Sequence, residues 1–133
     1  MLGTGDHVEW LGSKTVEEIA ALHGSSALLI HPSHVDNSPN SVAEAMVSGL
    51  SIVASNVGGI PSMIEHAVSG ILVEPRNHRQ LAEAVILLLH NEAERERLAK
   101  KAKEVAREQH LPPRVAEKTV SVYEDIIARE TQS

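Results

Sequence analysis

Residues 27–55 run ALLIHPSHVDNSPNSVAEAMVSGLSIVAS, and the change of period within them decides the architecture. Ala27, Leu28, Leu29 and Ile30 form a continuous apolar run closed by His31 and Pro32, the form of a strand buried on both faces. After a polar loop, Val42, Ala45, Met46 and Leu50 recur at helical spacing, and Gly49 interrupts that helix near its end. Residues 51–55, Ser51-Ile52-Val53-Ala54-Ser55, then read as a second buried strand. Strand, helix and strand joined by only a few residues imply a right-handed crossover and parallel pairing.

Working outward, residues 8–11 read as a short strand closed by Gly12, and Thr15 is placed to cap a helix whose face is Val16, Ile19, Ala20, Leu22 and His23. Residues 61–67 read as a short helix and residues 70–73 as a strand. From Asn77 onward the chain reads as helical throughout, with Leu81, Ala84, Val85, Leu88 and Leu89 as a wide apolar stripe. Residues 91–109 mix Glu with Arg and Lys at i,i+4 spacing, as a solvated helix face does. Pro112 and Pro113 punctuate the chain, and Val115, Thr119, Val122, Ile126 and Ile127 give a last amphipathic helix. The expected fold is therefore α/β, a Rossmann-like parallel sheet of about four strands with flanking helices. It forms one domain over residues 1–133, with an alternating strand and helix core at 7–75 and carboxyl-terminal helices at 77–130.

Composition narrows the functional classes. The 133 residues are 42% apolar but contain no Phe, one Trp and one Tyr, so the core falls to Leu, Ile, Val, Ala and Met. A net charge of −6 without a basic stripe argues against nucleic acid as a partner. The absence of Cys removes disulfide and thiolate chemistry and fits a cytoplasmic protein. No apolar run reaches the length of a membrane span, and no secretory leader opens the chain, so a soluble location is expected.

In an open parallel sheet, ligands gather beyond the carboxyl ends of the strands, where residues 12–14, 32–40 and 56–60 would form loops. Ser38 suits an N-cap and Pro39 the first helical position, which would aim the amides of Asn40, Ser41 and Val42 out of the helix start. Such a start carries roughly half a positive charge and can hold a diphosphate without Lys or Arg. Glu44, about one turn further in, is placed to accept hydrogen bonds from a ribose diol, and Asp36 to reach the hydroxyls of a sugar beyond the phosphates. Alternatively, Glu44 completes a capping box with Ser41, and Asp36 is an ordinary turn residue. Gly58-Gly59 serves either a tight turn or a close backbone approach to sugar hydroxyls. His31, His34 and Asp36 offer two nitrogens and an oxygen, but no third protein nitrogen is evident, so no metal site is expected. No Gly-x-Gly-x-x-Gly follows a strand, which disfavours a dinucleotide enzyme.

These residues resemble the carboxyl-terminal domain of the family-four retaining glycosyltransferases of GT-B architecture. The most specific match is an acid, seven residues, then a second acid followed by Ala-Met: Asp36 and Glu44-Ala45-Met46. Val8-Glu9-Trp10-Leu11-Gly12, Ser51-Ile52-Val53-Ala54-Ser55, Val57-Gly58-Gly59-Ile60-Pro61 and Gly70-Ile71-Leu72-Val73 follow in the family's order. The resemblance implies that Glu44 binds the nucleotide ribose and that Asp36 orients the donor sugar. It places the diphosphate on amides of the helix start beside Asn37, Ser38, Asn40, Ser41 and Val42. Gly12 and Ser13 would approach the base, and Gly58 and Gly59 the sugar. It further implies transfer with retention, commonly without a metal, and there is no Asp-x-Asp pair; no cofactor is expected beyond the nucleotide-sugar donor.

Three positions depart from the pattern: Asp36 stands where Glu is commoner, Ser38-Pro39 where a glycine turn is usual, and Ser62 where Glu often follows the proline. Two further strands, a phosphate-clamping Arg/Lys pair and the amino-terminal acceptor domain of the full enzyme have no counterpart in the sequence. The chain is accordingly expected to be a fragment that transfers no sugar alone, with an open sheet edge available for self-association. A sugar-nucleotide epimerase and a non-catalytic nucleotide-sugar-binding module are the alternatives.

Overall fold

The computed structural model describes residues 5–35, 40–110 and 113–131. After a 3-10 turn at Gly5–His7, helix α1 (Val16–Ser25) opens with a reciprocal cap. Thr15 Oγ1 accepts from the Glu18 amide at 3.1 Å, and the Thr15 amide donates to Glu18 Oε1 at 3.4 Å. Strand β1 (Leu28–His31) leads into α2 (Asn40–Ser48), followed by β2 (Ser51–Ser55), α3 (Ile60–Met63) and β3 (Ile71–Val73). Helix α2 stops because Gly49 turns left-handed, at φ 72°, so that its amide reaches the Met46 carbonyl and the Leu50 amide the Ala45 carbonyl.

The sheet has three parallel strands in the order β1-β2-β3, with Leu28 opposite Ser51 and Val53 opposite Ile71. Every residue of β2 is buried because its two faces meet different cores. Ile52 and Ala54 pack with Val42, Ala45 and Met46 of α2 and with Ile60 and Met63 of α3. Val53 faces Leu88 of α4 (His78–Leu89) and Leu98 of α5 (Glu92–Val105). Helix α6 (Pro113–Thr131) closes the molecule against α1 and α2.

Four expectations are corrected. Residues 8–11 are not a strand: they are exposed, Trp10 by 92%, with no ladder partner among the described residues, so the apolar run has no sheet to join. Among the described residues the sheet accordingly has three strands rather than about four, and β1 is an edge, with Ile30 43% exposed. The helix expected over residues 61–67 spans only Ile60–Met63, because the next turn is a loop in which Ala67 takes φ 62° and its amide bonds the Gly70 carbonyl. The carboxyl-terminal part is not helical throughout. Helix α4 ends at Leu89, Asn91 caps α5 through its side-chain oxygen at 3.1 Å from the Glu94 amide, and a π-helical turn follows at Ala106–His110. Leu89 itself is exposed rather than part of the buried stripe.

In α6 the fully buried face among described side chains is Val120 and Tyr123, with Val122, Ile126 and Ile127 half-buried; the side chains of Val115 and Thr119 lie outside the described set. Among the described residues, no helix is long and apolar enough to cross a membrane.

Candidate site at the carboxyl edge of the sheet

Because the described strands are parallel, the loops after β1, after β2 and after β3 open at one edge. The start of α2 sits there with Asn40 and Ser41 exposed, while Val42 is fully buried and anchors the first turn in the core. In a helix beginning at Asn40, the first amides have no intrahelical acceptor. Ser41 Oγ lies 3.3 Å from His31 Nδ1, and His31 Nε2 lies 2.9 Å from Ser33 Oγ, so the end of β1 is tied to the start of α2.

Glu44 is half-buried on the second turn, and burial pushes its carboxyl above the usual glutamate range. The capping-box alternative does not fit the register. With the helix starting at Asn40, Ser41 is already helical, and its hydroxyl is directed to His31 rather than to Glu44. No hydrogen bond or ion pair to the Glu44 carboxylate occurs among the described residues.

Asp36, Asn37, Ser38 and Pro39 lie outside the described residues. Gly12 takes φ 66°, and a Cβ built there would meet nothing within 4 Å, so its turn needs glycine for conformation rather than for space. Ser13 beside it is exposed. Gly58 takes φ 53°, whereas Gly59, the N-cap of α3, has an ordinary φ of −83°. The carbonyl of Gly59 is engaged by the Ser62 hydroxyl at 2.6 Å and the Ser62 amide at 3.1 Å. The pair thus builds the turn into α3 at the same edge as the start of α2.

Two residues at or behind this edge escape sequence reasoning. Arg76 follows β3 in a left-handed conformation, φ 66°, and its Nε donates to His34 Nδ1 at 3.0 Å. A contact across 42 positions between two loops leaves no local signal. Tyr123, fully buried on α6, senses the Glu44 charge, and burial together with that charge pushes its hydroxyl up to about 12. A signal for it did exist: a lone aromatic three residues after Val120 on an apolar helix face. Among the described residues, no group of three His, Asp or Glu side chains is arranged to hold a metal ion.

Residues 1–105 match the family described as glycosyl transferases group 1. The chain is 34% identical over 105 residues to a D-inositol 3-phosphate glycosyltransferase of Nocardioides, covering 79% of this chain and 23% of that protein. It is 32% identical over 122 residues to an uncharacterized glycosyltransferase of Methanocaldococcus jannaschii, covering 92% and 31% respectively. Among solved structures, the sucrose-phosphate synthase of Thermosynechococcus elongatus superposes with a TM-score of 0.79 at 26% identity, over 94% of this chain and 31% of that one. Anabaena HepE, solved in complex with UDP-glucose, superposes with a TM-score of 0.78 at 23% identity, over 99% and 34%. The chain thus spans about a third or less of the length of these relatives, and its α/β fold matches that part of the GT-B structures. A family match over most of the chain and relatives above 30% identity lead to one conclusion: this chain belongs to the glycosyl transferases group 1 family.

Proposed function

We propose that the chain is the donor-binding part of a retaining glycosyltransferase and holds a nucleotide-diphosphate sugar at the carboxyl edge of its sheet. The observation that carries this reading is the start of α2. It is solvent-exposed at Asn40 and Ser41, and one turn further in stands a half-buried carboxylate, Glu44, with no partner among the described residues. Free amides and the helix dipole suit a diphosphate, and an ionised carboxylate that only accepts suits the two hydroxyls of a ribose. Asp36 would orient the sugar, Gly12 and Ser13 would flank the base, and the turn at Gly58 and Gly59 would border the sugar. Fixed amides facing the diphosphate stabilise the charge that develops as it departs, which is the main catalytic contribution of this half.

The acceptor would be held by polypeptide outside these 133 residues, so the chain alone is expected to transfer no sugar from a radiolabelled donor. Calorimetric titration with uridine, adenosine and guanosine diphosphates tests the site. Glu44→Ala should weaken the preferred nucleotide at least about tenfold, the loss of a charge-assisted contact. Undiminished affinity in that variant would remove Glu44 from the site. The free edge of β1, where Ile30 is exposed, also favours pairing with a second copy of the chain. A monomeric mass by light scattering at high concentration would exclude that pairing.

A further inference from the structure

The junction of α1, α2 and α6 contains a polar group that donor binding, as described, does not use. Tyr123 is the only tyrosine in the chain. It is 1% exposed, and its hydroxyl is buried with no hydrogen-bond partner among the described residues. An unpaired buried hydroxyl is destabilising, and a state of the molecule in which it gains a partner offsets that cost.

Two contacts and a helical spacing locate it. The Tyr123 ring lies 6.3 Å from the His23 ring of α1, centroid to centroid. His23 Nδ1 in turn lies 3.1 Å from Ser48 Oγ of α2. Ser48 is one helical turn from Glu44, and residues four apart share a helix face. Tyr123 and Glu44 thus lie on α6 and α2, which pack directly together, and the Glu44 charge is felt at the Tyr123 hydroxyl. The other titratable group there is His23, and burial pushes its imidazole below the usual range, toward the neutral form. The Tyr123 hydroxyl, pushed up to about 12, keeps its proton and is a donor. The Glu44 carboxylate, once ionised, only accepts and has about four lone-pair directions, more than a ribose diol uses.

We propose that Tyr123 is a positioning residue for Glu44: its hydroxyl donates to the lone pairs left over when a ribose diol engages that carboxylate, holding it oriented and ionised. This rests on the reading of Glu44 as the ribose ligand.

The test uses the full 133-residue chain, with the preferred nucleoside diphosphate and its 2′,3′-dideoxy analogue as probes. Tyr123→Phe should keep or raise Tm, because it removes an unpaired buried hydroxyl. It should weaken the diol nucleotide about three- to tenfold, the effect of one hydrogen bond to a charged group, and leave the dideoxy analogue unchanged. Equal losses for both nucleotides, or no loss for either, would overturn the proposal. If the variant does not fold, the wild type supplies its own readout. The near-ultraviolet absorption of its single tyrosine should shift to the red on saturation with the diol nucleotide and stay in place with the dideoxy analogue. Absence of the first shift overturns the proposal. A wild-type chain that binds no nucleotide would remove the donor site and the role of Tyr123 together, whereas binding that survives Tyr123→Phe intact removes only the latter.

Discussion

Helix α2 has two faces that differ in what they are made of and in how they are engaged. Val42, Ala45 and Met46 are fully buried against β2, α3, α5 and α6, and contain no polar side-chain group that needs a partner. Ser41, Glu44 and Ser48 form a polar stripe along another side. Ser41 is tied to His31, Ser48 to His23, and Glu44 has no hydrogen-bond partner among the described residues. On the proposed reading, nine residues would serve both packing and recognition, with the two tasks separated by the helical period. Stability and ligand affinity should therefore respond to different substitutions on the same short helix.

The largest effect is expected on the apolar face. Met46→Ala should cost about 2–5 kcal/mol by opening a cavity in a fully buried position, seen as a lower midpoint in urea. The affinity of the molecules that remain folded should be unchanged. Ser48→Ala should cost about 1 kcal/mol. The Ser48 hydroxyl gives its hydrogen to the Ala45 carbonyl at 2.9 Å and is left to accept from His23 Nδ1, so the substitution leaves a half-buried imidazole N–H without that acceptor. Equal urea midpoints for the variant and the wild type would show that this pair contributes nothing.

Glu44→Gln should act through pH. A carboxyl whose folded pKa is raised contributes stability at low pH that is lost as pH rises from the ordinary glutamate range through the folded value. Wild type and Glu44→Gln should therefore have similar stability in acid. The variant should become the more stable of the two as pH rises, read from denaturant midpoints across the range. A gap that closes instead of opening would mean that the Glu44 carboxylate has a favourable partner. The smallest effect belongs to Ser41→Ala, under about 1 kcal/mol because the hydroxyl is exposed and its contact with His31 is long at 3.3 Å. A larger loss would make the tie between β1 and α2 a structural requirement.

Much of this division was legible before any coordinates. The spacing of Val42, Ala45 and Met46 gave the buried face of α2, and the run from Ser51 to Ser55 gave the central strand, because burial on both faces writes an unbroken apolar segment. The Thr15 cap was legible too, since a capping box is a local pattern. Residues 8–11 misled for the complementary reason: their sequence is that of a strand, but strand formation needs a neighbour, and β1 offers them no ladder. The short α3 was overextended because nothing in Glu65 or His66 announces that Ala67 will turn left-handed. Gly70 was recognised as the start of a strand but not for the reason it is glycine. A Cβ there would stand 2.9 Å from Ile64 Cγ2 and 3.1 Å from the Ile52 carbonyl oxygen, a tertiary constraint invisible in one dimension. Of the candidate site, the start of α2 and the Gly58-Gly59 turn follow parallel strands and so share one edge, with Glu44 one turn further in, while Asp36 lies outside the described residues. The influence of the Glu44 charge on Tyr123 spans 79 positions and the bond from Arg76 to His34 spans 42, and no periodicity encodes those.

The bond from Arg76 to His34 joins a loop after β3 to a loop after β1, although β2 lies between those strands. It therefore runs like a lintel over the tip of the middle strand. His34 Nδ1 accepts in this bond, which an imidazolium cannot do. Removing either side chain would take away the lintel without any change in the sheet beneath it.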